Sequence, residues 1–293
     1  MPFQHANHLP PHPLPPSPSP APPSPTPPSN PPQPPPPFRA SSHTSPHPHL
    51  LLASTGSVAT IKLPLILHAL APYHLSIRLL LTPSSLTFLQ SQPPQQPPLP
   101  SLLSYPNVDG IHLDAEEWSP PWTRGAPILH IELRRWADAM LVAPLSANTM
   151  AKMVAGQADN LVTSVLRAWD TAGAIDGTAE GKERTRTKGG KKRVWVAPAM
   201  NTAMWGHPVT GRQMAVLKGE WGEEVGGWVR VLGPVEKGLA CGDVGAGAMV
   251  EWGEIVREVV AGLGLVRKDE GGGEVVDERR GGKEGDVDGD GQG

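Results

Sequence analysis

The sequence predicts an α/β fold with a mostly parallel sheet, on three observations. Short, mostly apolar runs of strand length at 50–53, 75–81, 139–144 and 194–198, with another short strand read at 108–113, alternate with helix-length segments. Four strand ends are followed by small, hydroxyl or amide residues, at 54–58, 82–85, 146–149 and 198–201. In open parallel sheets the carboxyl ends of the strands are where ligands bind. One polar strand end means little; four along one sheet edge describe a single ligand with phosphate and heteroaromatic parts.

Composition bounds the rest. Of 293 residues, 37 are proline and 32 glycine, concentrated at the two ends, so one domain of roughly 200 residues is expected. Residues 1–48 are Pro-, Ser- and His-rich and read as a disordered tail, and 266–293 as a second, Gly-rich and charged one. The folded domain is placed at 49–265. A formal charge of −3 gives no reason to expect nucleic acid as a partner. No apolar run reaches membrane-spanning length, and the N-terminus has no signal or transit pattern. The single cysteine, Cys241, forms no internal disulfide and fits a reducing compartment. A cytoplasmic protein is expected, with the nucleus left open.

In chain order, the strand at 50–53 leads into the turn Ser54 to Val58 and a helix carrying Ile61, Leu65 and Leu70 on one face, with Pro64 in its first turn. Small residues between strand and helix point backbone N–H groups at a phosphate, although many such turns bind nothing. The pattern is not GxGxxG, so ordinary dinucleotide binding is not indicated. The second strand ends in Thr82-Pro83-Ser84-Ser85, and 90–100 reads as a Pro/Gln-rich loop. An amphipathic helix at 129–138 precedes the fourth strand and the turn Ser146-Ala147-Asn148-Thr149, where Ser or Asn serves equally as an ordinary helix cap. A long helix to Trp169 breaks near Gly156. Residues 171–193 lack periodicity and read as a flexible surface insertion whose basic end, KGGKKR, is a solvated loop or a targeting patch.

The string VWVAPAMNTAMW, 194–205, is the most informative. A buried strand ends at Pro198, and Asn201 then offers one amide between methionine side chains. The last strand is expected at 228–232 and the last helix at 254–263.

Four segments together resemble the flavin-dependent cysteine decarboxylase family, specifically the phosphopantothenoylcysteine decarboxylases and their eukaryotic halotolerance-type relatives. They are GSVAT at 56–60, LHIELRRWADAMLVAPLSANT at 129–149, PAMNTAMW at 198–205 and LACGDVGAGAM at 239–249. The resemblance implies a flavodoxin-like, Rossmann-type three-layer fold, bound FMN, and a homotrimer or a heterotrimer of related chains with sites at subunit interfaces. The reaction it implies converts 4′-phosphopantothenoylcysteine to 4′-phosphopantetheine and CO2 in coenzyme A synthesis. Direct loss of CO2 from a thiol carboxylic acid would leave an unstabilised carbanion, so a flavin is needed as transient electron acceptor.

By position, the resemblance makes His130 the base-like residue and Cys241 the proton donor to the enethiolate. Without it they would be a helix-face histidine and an inert thiol. Asn201, Met204, Gly238, Leu239 and Ala240 are implied for substrate, with a core methionine the alternative for Met204. Gly56, Ser57, Val58, Thr82, Ser84, Ser85, Ser146, Ala147, Asn148, Thr149 and Ala199 are implied for FMN; no metal site is expected. Gly242, Gly245 and Gly247 fit a mobile flap or a plain surface loop. Thr60, where many relatives have Ala, is a small departure. Some fungal relatives inhibit a type-1-like Ser/Thr phosphatase, which makes a regulatory subunit with a phosphatase partner the alternative function.

Overall fold

The computed structural model describes residues 37–90, 96–119, 121–176, 190–238 and 244–269. Six parallel strands form the main sheet: β1 (His49–Ser54), β2 (Ser76–Leu81), β3 (Val108–Leu113), β4 (Ala139–Leu145), β5 (Val194–Pro198) and β6 (Val229–Val231). Their order is β3-β2-β1-β4-β5-β6, the doubly wound arrangement. Strand order reverses between β1 and β4, which pair in register from Leu50–Ala139 to Ala53–Val142.

Every residue of β1, β4 and β5 is buried, as parallel strands covered on both faces must be. Alternation then divides the side chains between two cores. Leu50, Leu52, Leu79, Leu141 and Trp195 pack against α1 (Leu63–Leu70) and α9 (Trp252–Leu263). Leu51, Ala53, Met140, Val142 and Val196 pack against α4 (Leu129–Trp136), α5 (Ala147–Ala155), α6 (Leu161–Arg167) and α8 (Pro208–Ala215). The remaining helices are α2 (Pro83–Gln90), α3 (Asp114–Glu117) and α7 (Thr202–Gly206). No helix of the described residues is long and apolar enough to cross a membrane.

The break near Gly156 is real and has a local cause. Gly156 closes α5 in the left-handed region at φ 71°, and Asn160 with Thr163 opens α6 through a capping box. The first helix differs from expectation. Residues Val58–Lys62 form a 3-10 turn, so the α-helix starts only at Leu63 and its phase is reset. The buried face is Leu63, Ile66, Leu67 and Leu70, while Leu65 is 40% exposed.

The ends of the domain extend past the expected limits. Phe38 lies over the Arg78 guanidinium at 4.2 Å, and Ala40 N–H donates to the Glu132 carboxylate (2.9 Å). At the other end Lys268 donates from its backbone to Pro72 O and from Nζ to Asn107 Oδ1 (2.7 Å). Of the tails expected at 1–48 and 266–293, residues 1–36 and 270–293 lie outside the described residues.

The stretch read as a solvated insertion is fastened at both described ends; 177–189 lies outside the described residues. Asp170 accepts hydrogen bonds from the N–H groups of Ala174, Ile175 and Asp176. Asp176 then pairs with Arg134 (3.0 Å) and with Lys192 (2.8 Å), all three side chains being less than 10% exposed. Lys192 Nζ also donates to Arg134 O (2.7 Å), and Arg193 pairs with Glu223. A buried lysine is tolerated only when paired, so the basic end is structural at Lys192 and Arg193.

Removing one partner of a buried charge group costs about 3–5 kcal/mol. Asp176→Ala should lower the unfolding free energy in denaturant by that order. The exposed change Lys218→Ala should alter it by no more than about 0.5 kcal/mol. Equal effects of the two substitutions would contradict a structural role for the buried group.

Candidate functional site

Three strand ends meet at the carboxyl edge of the sheet, where the order reverses. Thr55, fully buried, joins the first two. Its hydroxyl donates to Pro144 O (2.8 Å) and accepts from Ser146 N–H (2.8 Å), and its own N–H donates to Pro144 O (3.2 Å). Thr60 ties the β1 turn back on itself: its hydroxyl donates to Thr55 O and accepts from Ser54 Oγ. An alanine there would leave Ser54 Oγ without this partner, so the departure at Thr60 has structural content. The third end joins through Ala199 N–H, which donates to Leu145 O (2.9 Å).

Between these ends lies a cleft of about 740 Å³. Of the residues implied for a cofactor, Gly56, Ser57, Val58, Ser146, Ala147, Asn148 and Ala199 line it; of those implied for substrate, Asn201 and Met204 do. Ser57 caps the 3-10 turn by accepting from Ala59 N–H, and Ser146 caps α5 by accepting from Thr149 N–H. The capping alternative therefore holds for Ser146, with Thr149 bonded to it and absent from the lining. The turns still present helix N-termini to the cleft. Asn201 Oδ1 accepts from Met204 N–H (2.8 Å), which leaves the Nδ2 donors for a ligand. Met204 is 51% exposed on the wall, an unusual place for a core methionine.

The fourth polar strand end does not reach the lining. Ser85 Oγ donates to Thr82 O (2.8 Å) and its N–H to Thr82 Oγ1, so both hydroxyls are spent inside the start of α2. Ser84 instead packs on the β1 turn; a Cβ added at Gly56 would fall 2.6 Å from Ser84 Cβ, which is why glycine stands there.

Sequence reasoning missed several wall residues. Lys62 and Glu251 are the charged residues in the lining, and Ile61, Phe88, Met200, Met249 and Trp252 add apolar surface. It also missed an antiparallel hairpin, β7 (Val235–Gly238) with β8 (Val244–Ala248). Gly247 docks it: its carbonyl accepts from Met200 N–H (2.9 Å), and φ is +115°. Leu239, Ala240, Cys241 and Gly242 belong to the connection between the two strands and lie outside the described residues; Gly238 ends β7 and Gly245 is within β8.

His130 is the second residue of α4 and does not line this cleft. Its Nδ1 lies 2.6 Å from Glu117 Oε1, a partner that nothing in the sequence signalled. The short helix α3 that carries Glu117 is itself held by Asp114, whose carboxylate accepts from Leu161 N–H (3.1 Å). Burial pushes the Asp114 carboxyl above the usual range, partly offset by that hydrogen bond.

With this geometry in hand, the comparisons decide the family. Residues 38–264 match the model of the Flavoprotein family. The chain belongs to that family. It is 41% identical over 205 residues to the Arabidopsis thaliana protein named probable phosphopantothenoylcysteine decarboxylase, covering 70% of this chain and 83% of that one. It is 40% identical over 215 residues to the mouse (Mus musculus) phosphopantothenoylcysteine decarboxylase, covering 73% and 86%. Among solved structures it resembles a cysteine-to-serine mutant of PPC decarboxylase complexed with pantothenoylaminoethenethiol, with TM-score 0.55, 39% identity and coverage of 73% and 96%. It also resembles the FMN binding protein AtHal3, with TM-score 0.53, 40% identity and coverage of 72% and 94%. The expected three-layer flavodoxin-like fold is the fold observed.

A Cβ at Gly247 would lie 2.7 Å from Met200 O, in a backbone region that L residues avoid. Gly247→Ala should therefore cost about 1–3 kcal/mol and lower the melting temperature. An unchanged melting temperature would mean that the hairpin is not docked through this contact.

Proposed function

We propose that this chain is an FMN-dependent phosphopantothenoylcysteine decarboxylase, removing the cysteine carboxylate of 4′-phosphopantothenoylcysteine in coenzyme A biosynthesis. One observation carries the proposal: a single cleft gathers three strand-end turns, Asn201 and Met204 in a chain about 40% identical to proteins of that name.

The residues present fit a flavin mononucleotide. The Ser57 hydroxyl and Lys62 supply a hydrogen-bond donor and a positive charge for a phosphate. Val58, Phe88, Met200 and Trp252 give apolar surface for a ring system, with the α5 N-terminus at Ala147 and Asn148 beside it. Bound there, FMN would supply the reversible two-electron chemistry that a thiol carboxylic acid lacks. The protein's part is to bind, orient and move protons. The Nδ2 group of Asn201 would donate to the substrate carboxylate, and Met204 would cover the substrate chain. Cys241 would return a proton to the enethiolate.

His130 faces a different problem, since it is absent from the cleft of its own chain. We assign it to the cleft of a neighbouring copy in a trimer, homomeric or mixed. The loop before α4 supports that assignment, because Trp118 and Trp122 are 64% and 50% exposed there. Apolar surface of that size suits a subunit contact. We place the protein in the cytoplasm, where a lone thiol stays reduced. No observation among the described residues favours the phosphatase-regulating alternative.

The test is CO2 release from 4′-phosphopantothenoylcysteine by the FMN-loaded protein. The wild type should turn over, and His130→Asn and Cys241→Ser should each lose at least about 100-fold. Mixing the two inactive variants under conditions of subunit exchange should restore turnover, because some interfaces regain both residues. Wild-type protein that holds FMN yet releases no CO2 would sink the decarboxylase reading. Active wild type without rescue in the mixture would sink the shared site alone.

A further inference from the structure

The contact between Glu117 and His130 carries information beyond the binding cleft. Glu117 closes the four-residue helix α3, and its side chain is 3% exposed. Oε1 lies 2.6 Å from His130 Nδ1, while Oε2 is buried with no hydrogen-bond partner. A carboxylate buried for structural reasons normally has both oxygens satisfied. This one makes its single contact to one histidine.

The other histidine–glutamate pair in the same region shows what a structural arrangement looks like. His112 is held at both nitrogens, Nδ1 by Glu116 and Nε2 by Arg78 (3.1 Å). His130 is held at Nδ1 alone. Among the described residues its Nε2 meets no hydrogen-bonding group, and the side chain remains 20% exposed.

We propose that Glu117 is a positioning residue that fixes His130 as the Nδ1–H tautomer, so that Nε2, at the opposite edge of the ring, is the basic nitrogen offered to the reaction. A carboxylate only accepts, so Nδ1 must carry the proton. The proton on one ring nitrogen determines what the other can do. When Nε2 takes a proton from the substrate, the ring becomes an imidazolium and the ionised Glu117 balances its charge, remaining unprotonated itself. A second fixation makes the arrangement rigid: Asp114 pins α3 to the first turn of α6 through Leu161 N–H, so Glu117 cannot follow a ring that swings away. The inference rests on the decarboxylase reading for the importance of His130, but the tautomer is a property of the chain on its own.

The experiment combines nitrogen NMR with kinetics on the FMN-loaded protein. Two-bond 1H–15N correlation of histidine-labelled protein distinguishes the two tautomers, and His130→Asn assigns the signal. Wild type should show Nδ1–H. Glu117→Ala should shift His130 towards the Nε2–H form that an unconstrained histidine side chain prefers. It should also lower kcat by roughly 10- to 100-fold with little change in KM or FMN content, the range for losing a partner that orients a reacting group. Glu117→Gln, nearly the same shape, should keep Nδ1–H because its amide oxygen still accepts, yet lose kcat because the charge is gone.

A Nδ1–H signal that persists in Glu117→Ala, or kcat within twofold of wild type, would overturn the proposal. If Glu117→Ala does not fold, kcat of Glu117→Gln within twofold of wild type would do the same. Wild type that shows the Nδ1–H form but no turnover would leave the tautomer assignment standing and remove the decarboxylase reading.

Discussion

The site depends on the buried side chain of Thr55. β1 and β4 are adjacent in the sheet but distant in sequence, and their ladder, which runs to Ala53 and Val142, does not by itself align the turns beyond it. Thr55 does so with one hydroxyl, donating to Pro144 O and accepting from Ser146 N–H. With no exposure to water, that hydroxyl has no alternative partner, so its loss would leave buried donors and acceptors unpaired. Thr60 extends the same network through the first turn, and Ala199 N–H on Leu145 O extends it to the third strand. The cleft is what remains between turns held in this way. A sheet of this order opens a crevice where its winding reverses, and these bonds set the shape of the crevice.

Much of this was legible in the sequence, for physical reasons. Strands buried on both faces read as unbroken apolar runs, and 194–198 coincides with an observed strand residue for residue, as does the edge strand 108–113, in which Asp109 is exposed. The polar strand ends were visible as composition, although composition cannot say where a hydroxyl points; Thr82 and Ser85 turned inward on each other. The helix face at Leu65 was misplaced because a 3-10 turn shifts the phase by an amount that residue types do not encode. Lys192 looks like any surface lysine until Asp176 and Arg134 are brought to it across the fold.

Two features had no sequence signal that periodicity could detect. The strand VGAGA has little apolar surface, and it is held to the site by backbone, through Gly247 O and Met200 N–H. Glu117 stands among acidic neighbours Asp114 and Glu116, and only tertiary packing separates their roles: one holds α6, one holds His112, one holds His130. Of the motif residues, Gly56, Ser57, Ser146, Asn148, Asn201 and Met204 come together in the cleft, whereas the partner that holds His130 came from the fold.

Under the proposed function the cleft is a cradle, and His130 and Cys241, which lie respectively off its lining and outside the described residues, are the parts supplied to it. The most direct test of the central claim is hydrogen–deuterium exchange of the chain with and without FMN. Binding in this cleft predicts slower exchange at 56–62, 146–149 and 199–204 together, with 153–171 unaffected. No flavin binding, or protection confined to another region, would contradict it.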